Sequence, residues 1–355
     1  MTTPIISVIM PCRNEAAHLG AVLDSLLQQE LGDTLTAEFL IVDGMSTDRT
    51  REIAREYARR DARIRLIDNP PGFVSHGMNA GIGAARGEII IRLDAHSHYA
   101  PDYLRRCAEL LEQTGAANVG GPARTVATGL IPETIAAAYH SRFACGGAQF
   151  HDCEYEGFTD TVPYGCWRKS TLVEIGLFDE ELVRNQDDEL NLRLIRAGGR
   201  IWQSPSIRSY YHPRASFAAL FRQYFQYGYW KVAVMRKHRI PASWRHLVPG
   251  AFVAAHLVLV AAAAGAWVAG QTQWAGVAAG LWAAMTGLYL LASVAAATAM
   301  ARVKGWRLLP LLPLAFAIYH VSYGLGFLLG LARRPASRRD GDRSPGGRFA
   351  TGITR

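Results

Sequence analysis

The sequence has no C-x-x-C pair. Its five cysteines, Cys12, Cys107, Cys145, Cys153 and Cys166, are irregularly spaced. That argues against a zinc ribbon or a disulfide framework and for reduced thiols in a cytosolic domain. No G-x-G-x-x-G follows the first apolar run and there is no Walker lysine motif; Gly81-Ile82-Gly83 falls inside a helical pattern. A dinucleotide oxidoreductase and a P-loop enzyme are therefore disfavoured. The N-terminus lacks a basic n-region and a small-residue cleavage site, so no signal peptide is expected. Residues 247–332 hold almost no charge outside one short basic loop, so averages over the chain describe neither half of it.

The 355 residues carry a formal net charge of +8. Much of that excess flanks apolar segments (Arg236, Lys237, Arg239, Arg245; Arg302, Lys304, Arg307) or lies in the tail from Arg333. Such placement suits the positive-inside rule and anionic lipids. The first 240 residues show no aromatic-interleaved basic stripe, so nucleic acid is not an expected partner.

The N-terminal part alternates strand and helix. Ile5–Met10 is a short β-branched run that Pro11 is expected to break. Ala16–Gln29 has helical apolar spacing at Leu19, Val22, Leu23, Leu26 and Leu27. Phe39–Val42 is a second strand, followed by a helix to about Arg60, a strand at Arg63–Ile67, a helix at Met78–Ala85 and a strand at Glu88–Leu93. This order predicts βαβ units, an α/β fold and a mostly parallel sheet. Ligands of such sheets bind beyond the carboxyl ends of the strands. Three of those ends are polar: Pro11-Cys12-Arg13-Asn14-Glu15, Asp43-Gly44-Met45-Ser46-Thr47-Asp48 and Asp94-Ala95-His96.

These sets resemble the family 2 inverting glycosyltransferases of GT-A fold. Pro11 to Glu15 is similar to that family's P-x-x-N-E, Asp43 to Thr50 to its D-G-S-T-D-x-T, and Met78-Asn79-Ala80-Gly81 to its A-x-N-x-G. Asp94-Ala95-His96 stands where the family keeps D-x-D. Gln186-Asp187-Asp188-Glu189-Leu190 resembles its E-D-x-D-L, with glutamine for the first acid. The run from Asn185 to Arg193 and the Arg-Leu-Asp-Ala-His stretch are similar to the ExoA-type branch that assembles succinoglycan. The resemblance implies a donor nucleotide site at Pro11, Glu15, Asp43, Asn79 and Asp94. It implies a divalent cation, Mn²⁺ or Mg²⁺, on Asp94 and His96. His98 or His212 would be a further ligand, each alternatively a structural histidine. It makes Asp187 the base, or Asp188 if the register is shifted by one; the bland alternative is an acidic first turn favoured by the helix dipole.

On the acceptor side, Val162 to Arg168 resembles a G-x-x-R segment, with Gly165 and Trp167 as candidate acceptor contacts. Gln226-Tyr227-Gly228-Tyr229-Trp230 resembles the Q-x-x-R-W of processive synthases, with tyrosine for arginine. Gln226 and Trp230 are acceptor candidates, and a single transfer fits better than processivity.

Leu247–Gly270 and Trp274–Met300 each exceed the roughly 20 apolar residues that a span needs. Leu308–Leu331 is long enough for a third, but Pro310, Pro313, His320 and its glycines suggest a re-entrant or interfacial element as the alternative. The expected organisation is a catalytic domain at 1–235, with donor and acceptor halves dividing near 120. A basic linker at 236–246, a membrane region at 247–332 and a basic tail at 333–355 follow. The resulting expectation is a multi-pass inner-membrane enzyme with its catalytic domain in the cytoplasm. It would move sugar from a nucleotide-diphosphate donor, expected to be a UDP-sugar, to a polyprenyl-diphosphate-linked saccharide among other polysaccharide-assembly proteins. A processive synthase, a nucleotidyltransferase and a non-catalytic sugar-nucleotide-binding subunit are the rival readings.

Overall fold

A computed structural model describes residues 5–240 and 243–333; the basic tail beyond Arg333 lies outside the described residues. These residues fall into two compact units. One comprises the residues up to Thr125 together with Gln149–His212. The other comprises Val126–Ala148 and residues 213–333.

The first unit begins β1 (Ile6–Cys12), α1 (Leu19–Leu27), β2 (Ala37–Asp43), α2 (Thr50–Arg60), β3 (Ile64–Asp68), α3 (Val74–Ala84) and β4 (Ile89–Arg92). It continues with β5 (His98–Tyr99), α4 (Tyr103–Thr114), β6 (Asn118–Gly120) and β7 (Ala123–Thr125). The second unit contributes α5 (Leu130–Tyr139) and α6 (Arg142–Cys145). The first then resumes as β8 (Gly157–Thr159), β9 (Cys166–Arg168), α7 (Lys169–Glu174), α8 (Gln186–Arg196), β10 (Ile201–Gln203) and β11 (Ser209–Tyr211).

Eight strands form one sheet in the order β3-β2-β1-β4-β9-β6-β10-β8, and β5-β11-β7 form a second. β3, β2, β1 and β4 run parallel, as the βαβ pattern requires. β9 enters antiparallel between β4 and β6. β2 is buried at every residue, which an α/β sheet covered on both faces demands. Helix α1 buries Leu19, Val22, Leu23 and Leu26 against that sheet's core.

Pro11 does not end the first strand. It continues in register with Val42, and Cys12 with Asp43. On the other side β4 pairs only as far as Ile9, so a residue without an N–H is tolerated at that unladdered end. Helix α1 starts later than its apolar spacing suggests, because the N–H groups of residues 14–16 are committed to the neighbouring loop.

The second unit is helical: α5, α6, α9 (Phe217–His238), α10 (Val248–Val268), α11 (Thr272–Lys304) and α12 (Leu312–Ala332). Three helical segments are long and apolar enough to cross a membrane: Trp244–Val268, Thr272–Lys304 and Leu312–Ala332. The third is continuous. Pro313 sits in its first turn, where the missing N–H has no intrahelical partner to lose. Its glycines mark contacts rather than breaks. A Cβ at Gly326 would strike the Phe225 carbonyl of α9, and one at Gly324 the Pro249 carbonyl of α10. Small residues of this kind let apolar helices approach closely. His320 is likewise satisfied inside the unit, by the Tyr289 hydroxyl at 3.0 Å and the Phe143 carbonyl at 2.9 Å.

Within the sheet, Glu38 is buried beside Ser7 (2.7 Å), the Arg86 N–H (2.6 Å) and Arg65 (3.0 Å). Burial alone would raise its pKa, but these donors outweigh burial and hold it below its ordinary 4.5. Its contribution to stability is therefore present above pH 4.5 and lost as pH falls through the depressed value. Glu38→Gln should cost about 1–3 kcal/mol at neutral pH. Thermal unfolding of parent and variant should converge as acid protonates Glu38 in the parent.

Candidate active site

The polar strand ends are stitched to one another. Asn14, in the left-handed region at φ 57°, donates its N–H to Ser46 Oγ (2.8 Å) and accepts from the Thr47 N–H (2.8 Å). Glu15 N–H donates to Thr50 Oγ1 (2.7 Å) and Ala16 N–H to Asp48 Oδ2 (3.1 Å). Asp48 Oδ1 also accepts from the Thr50 N–H. Much of the Asp43–Thr50 signature thus satisfies backbone donors that would otherwise be orphaned.

Asp43 is fully buried. It accepts from the Ser46 N–H (3.0 Å) and from Arg51 (2.7 Å), and Arg51 also bridges to Asp68 (2.7 Å). Asn79 is taken up elsewhere. Its amide makes a reciprocal pair with the Phe178 backbone, 2.9 Å each way, and reaches Glu180 at 3.0 Å. The Asp43 side chain is enclosed, whereas Asn79 is partly exposed and already engaged. Both fix the loops on which a donor would lie.

The ends of β1, β4 and α8 converge. Glu15 Oε1 lies 3.0 Å from His96 Nδ1. The buried Arg92 guanidinium reaches Asp94 Oδ1 at 3.1 Å and Asp187 Oδ2 at 3.7 Å. Burial opposes the Arg92 charge, but Asp94 and Asp187 outweigh it and raise its pKa. Asp94 is further held by Tyr99, whose hydroxyl accepts from the Asp94 N–H (2.8 Å). Tyr164 Oη pairs with Ser97 Oγ at 2.8 Å. Burial, with Asp94 adding to it, pushes that phenol upward, so it stays protonated. The roles of Arg92, Tyr99 and Tyr164 escaped sequence reasoning. Arg92 opens the Arg-Leu-Asp-Ala-His stretch that carries the resemblance, and it closes the apolar run Ile89-Ile90-Ile91, but neither feature named its partners.

The start of α8 is held from behind. Glu189 is fully buried against Arg193 at 2.8 Å, and Arg193 caps the Ile175 and Leu177 carbonyls. Asn191 donates to Thr161 Oγ1 (2.9 Å) and accepts from Asn118 (3.0 Å), which in turn accepts from the Cys166 N–H (3.1 Å). These bonds fix the helix that carries Asp187 and Asp188.

Among the described residues no three His, Cys, Asp or Glu side chains form a ready-made metal cage. The donor chemistry still suits a cation that arrives with phosphate oxygens, which needs only one or two protein ligands. Asp94 is about a quarter exposed and Arg92 engages one of its oxygens; no other described group bonds its carboxylate. His96 is 43% exposed. His212 packs edge-on against His98, with ring centroids 5.4 Å apart.

Two of the acceptor expectations, Trp167 and Gly165, need correction. Trp167 is 2% exposed and packs at 88° against Phe178 in the second core cluster. β9 lies inside the sheet with Trp167 opposite Ile90, so no face is left for a sugar. Gly165, at φ +100°, is buried, and a Cβ there would overlap the Trp167 ring. Gln226 is buried within the helical unit, and Trp230 is half-buried beside Tyr229.

The family model described as glycosyl transferase family 2 matches residues 7–154. The succinoglycan biosynthesis protein ExoA of Rhizobium meliloti (strain 1021) is 34% identical over 251 residues, covering 70% of this chain and 76% of its own. The chain belongs to glycosyltransferase family 2. A second relative is a dolichyl N-acetyl-alpha-D-glucosaminyl phosphate 3-beta-D-2,3-diacetamido-2,3-dideoxy-beta-D-glucuronosyltransferase of Methanococcus voltae. It is 30% identical over 247 residues, covering 67% of this chain and 76% of its own. The solved mannosyltransferase PcManGT of Pyrobaculum calidifontis, in complex with GDP-Man and Mn²⁺, covers 92% of this chain and 88% of its own. It superposes at a TM-score of 0.57 with 20% identity. That likeness shows the GT-A fold.

If Trp167 is core, Trp167→Ala should destabilise this glycosyltransferase by about 3–5 kcal/mol. In Trp167→Phe any loss of activity should track the folded fraction. A variant that melts like the parent but loses activity would restore Trp167 to the site.

Proposed function

We propose that this family 2 glycosyltransferase transfers a sugar, with inversion, from a nucleotide-diphosphate donor, a UDP-sugar, to a polyprenyl-diphosphate-linked saccharide. The observation that supports it most directly is the convergence of Asp94, His96 and Glu15 with Asp187 around the end of β4. An oxygen and an imidazole nitrogen suited to a diphosphate's counter-ion there stand near a half-exposed carboxylate at a helix start, which supports this reading.

Asp94 and His96 would hold the divalent cation, Mn²⁺ or Mg²⁺, with His212 the candidate for a further ligand. Glu15 against His96 Nδ1 favours the tautomer that presents Nε2 outward, as carboxylates behind metal-binding histidines do. The cation supplies Lewis-acid neutralisation of the charge that grows on the leaving diphosphate. Pro11 and the stitched loop of Asn14, Ser46 and Asp48 carry the donor. Asp43 and Asn79 support that surface from beneath.

Asp187 removes the proton of the acceptor hydroxyl. The hydroxyl oxygen then bonds to the anomeric carbon on the face opposite the diphosphate. The bond to the diphosphate breaks with its electron pair, and the nucleoside diphosphate departs. Asp187, rather than Asp188, is the carboxylate that Arg92 ties to Asp94.

The Rhizobium relative's succinoglycan and the Methanococcus relative's dolichyl phosphate support the saccharide and polyprenyl parts of this reading. With the three apolar helices they favour a multi-pass protein of the inner membrane. Arg302 and Lys304 in the last turn of α11, with Arg307 just before α12, favour the cytoplasmic side for that connection, and the basic residues after α9 do so for the catalytic domain. In intact cells a Lys304→Cys variant should resist an impermeant thiol reagent and react once the membrane is opened. Labelling in intact cells would reverse the topology.

Asp94→Ala and excess chelator should each abolish transfer by the purified full-length protein. Asp187→Asn should lower turnover about 10²–10⁴-fold with donor affinity nearly unchanged. Asp188→Asn should cost only a helix-start charge of about 0.3–1 kcal/mol. An inactive Asp188→Asn beside an active Asp187→Asn would move the base by one residue. Full activity in chelator would remove the cation from the mechanism.

A further inference from the structure

Arg92 is one charge shared between two carboxylates from distant parts of the chain. It closes β4, is 9% exposed, and its Nε is buried without a partner. Its two terminal nitrogens face Asp94 at 3.1 Å and Asp187 at 3.7 Å. The guanidinium fork is rigid and planar, so gripping one carboxylate constrains where the other can be gripped. The Asp187 half is the looser one. Asp187 keeps its place partly through its own helix, accepting the Asp188 N–H at 2.9 Å.

We propose that Arg92 is a positioning residue that sets Asp187 in register with Asp94 and competes with the donor's cation for the Asp94 carboxylate. The inference rests on the transferase reading above. A cation and a guanidinium repel one another and share one ligand, so binding at Asp94 weakens the Arg92–Asp94 pair. Arg92, still buried, then leans on Asp187, the one other carboxylate paired with it among the described residues. Donor loading thereby tightens the hold on the base. Before loading, Asp94 and Asp187 do not face each other with uncompensated charge.

Two consequences have opposite signs. Removing Arg92 frees Asp94, so cation affinity should rise. It also releases Asp187, so turnover should fall. Mere damage to the fold would lower both.

The test uses the full-length protein in detergent, with Mn²⁺ alone as the probe, titrated by the paramagnetic signal of free Mn²⁺. Arg92→Met should bind Mn²⁺ about three- to tenfold more tightly while turnover drops about ten- to hundredfold. In an Asp187→Asn background the same change should cost less than about twofold, because the residue through which Arg92 acts is already disabled. Arg92→Lys keeps the charge but cannot bridge. It should return Mn²⁺ affinity toward the parental value and leave turnover low, and it guards against misfolding of the methionine variant. Weaker Mn²⁺ binding in Arg92→Met, an equal loss in the Asp187→Asn background, or full turnover in Arg92→Lys would each overturn the proposal. A fully active Asp187→Asn single variant would instead refute the base assignment, and this inference with it. An inactive Asp187→Asn beside an unaffected Arg92→Met would refute the inference alone.

Discussion

Arg92 brings a full positive charge to the end of β4, where the side chain is almost entirely enclosed. Burial of such a charge is tolerable only when opposite charges and hydrogen bonds compensate it. Here Asp94 and Asp187 provide that compensation, one from the loop after β4 and one from the first turn of α8. The consequence runs outward. β4 and α8 have to meet at one place, and β9 lies between β4 and β6 in the same sheet. The 161–166 segment is held to α8 by the Asn118, Asn191 and Thr161 chain. Loss of any one support loosens a carboxylate whose partner is a buried cation.

The donor-side loops answer a different constraint. A parallel sheet leaves the carboxyl ends of its strands to loops, and those loops carry N–H groups with no strand to pair with. Asn14, Ser46, Asp48 and Thr50 satisfy those groups with side-chain oxygens. A motif that looks like a list of ligand contacts is therefore also the fabric of the surface. Asp43, enclosed with Arg51 and Ser46, belongs to that fabric.

The strands and their order were legible because apolar runs such as Phe39–Val42 and Ile89–Ile91 are short, β-branched and ended by polar sets. The local chain also fixes where α2 begins, near Thr50. What could not be read depends on contacts between distant segments. Trp167 looked like a platform because its burial is decided by β9 pairing with β4, a join between segments far apart in the chain. Asn79 meets Phe178 and Glu180, and nothing near residue 79 announces them. His212 is turned toward His98 by the small second sheet. The glycines of α12 read as breaks in one dimension, whereas against α9 and α10 they are the points of closest approach. The family resemblance supplied the candidate catalytic positions; the pairing of Arg92 with Asp94 and Asp187 came only from the geometry.

The central claim is a single displacement at the donor's anomeric carbon, with a base that α8 presents beside the ligands at the end of β4. The stereochemistry of the first bond formed tests it most directly. Purified full-length protein would be given an α-linked nucleotide-diphosphate sugar, found by screening for cation-dependent turnover, together with a polyprenyl-diphosphate-linked saccharide. The anomeric proton coupling of the product would then be read by NMR. A β-linked product formed without any covalent glycosyl-enzyme is the expected result. An α-linked product would contradict single displacement.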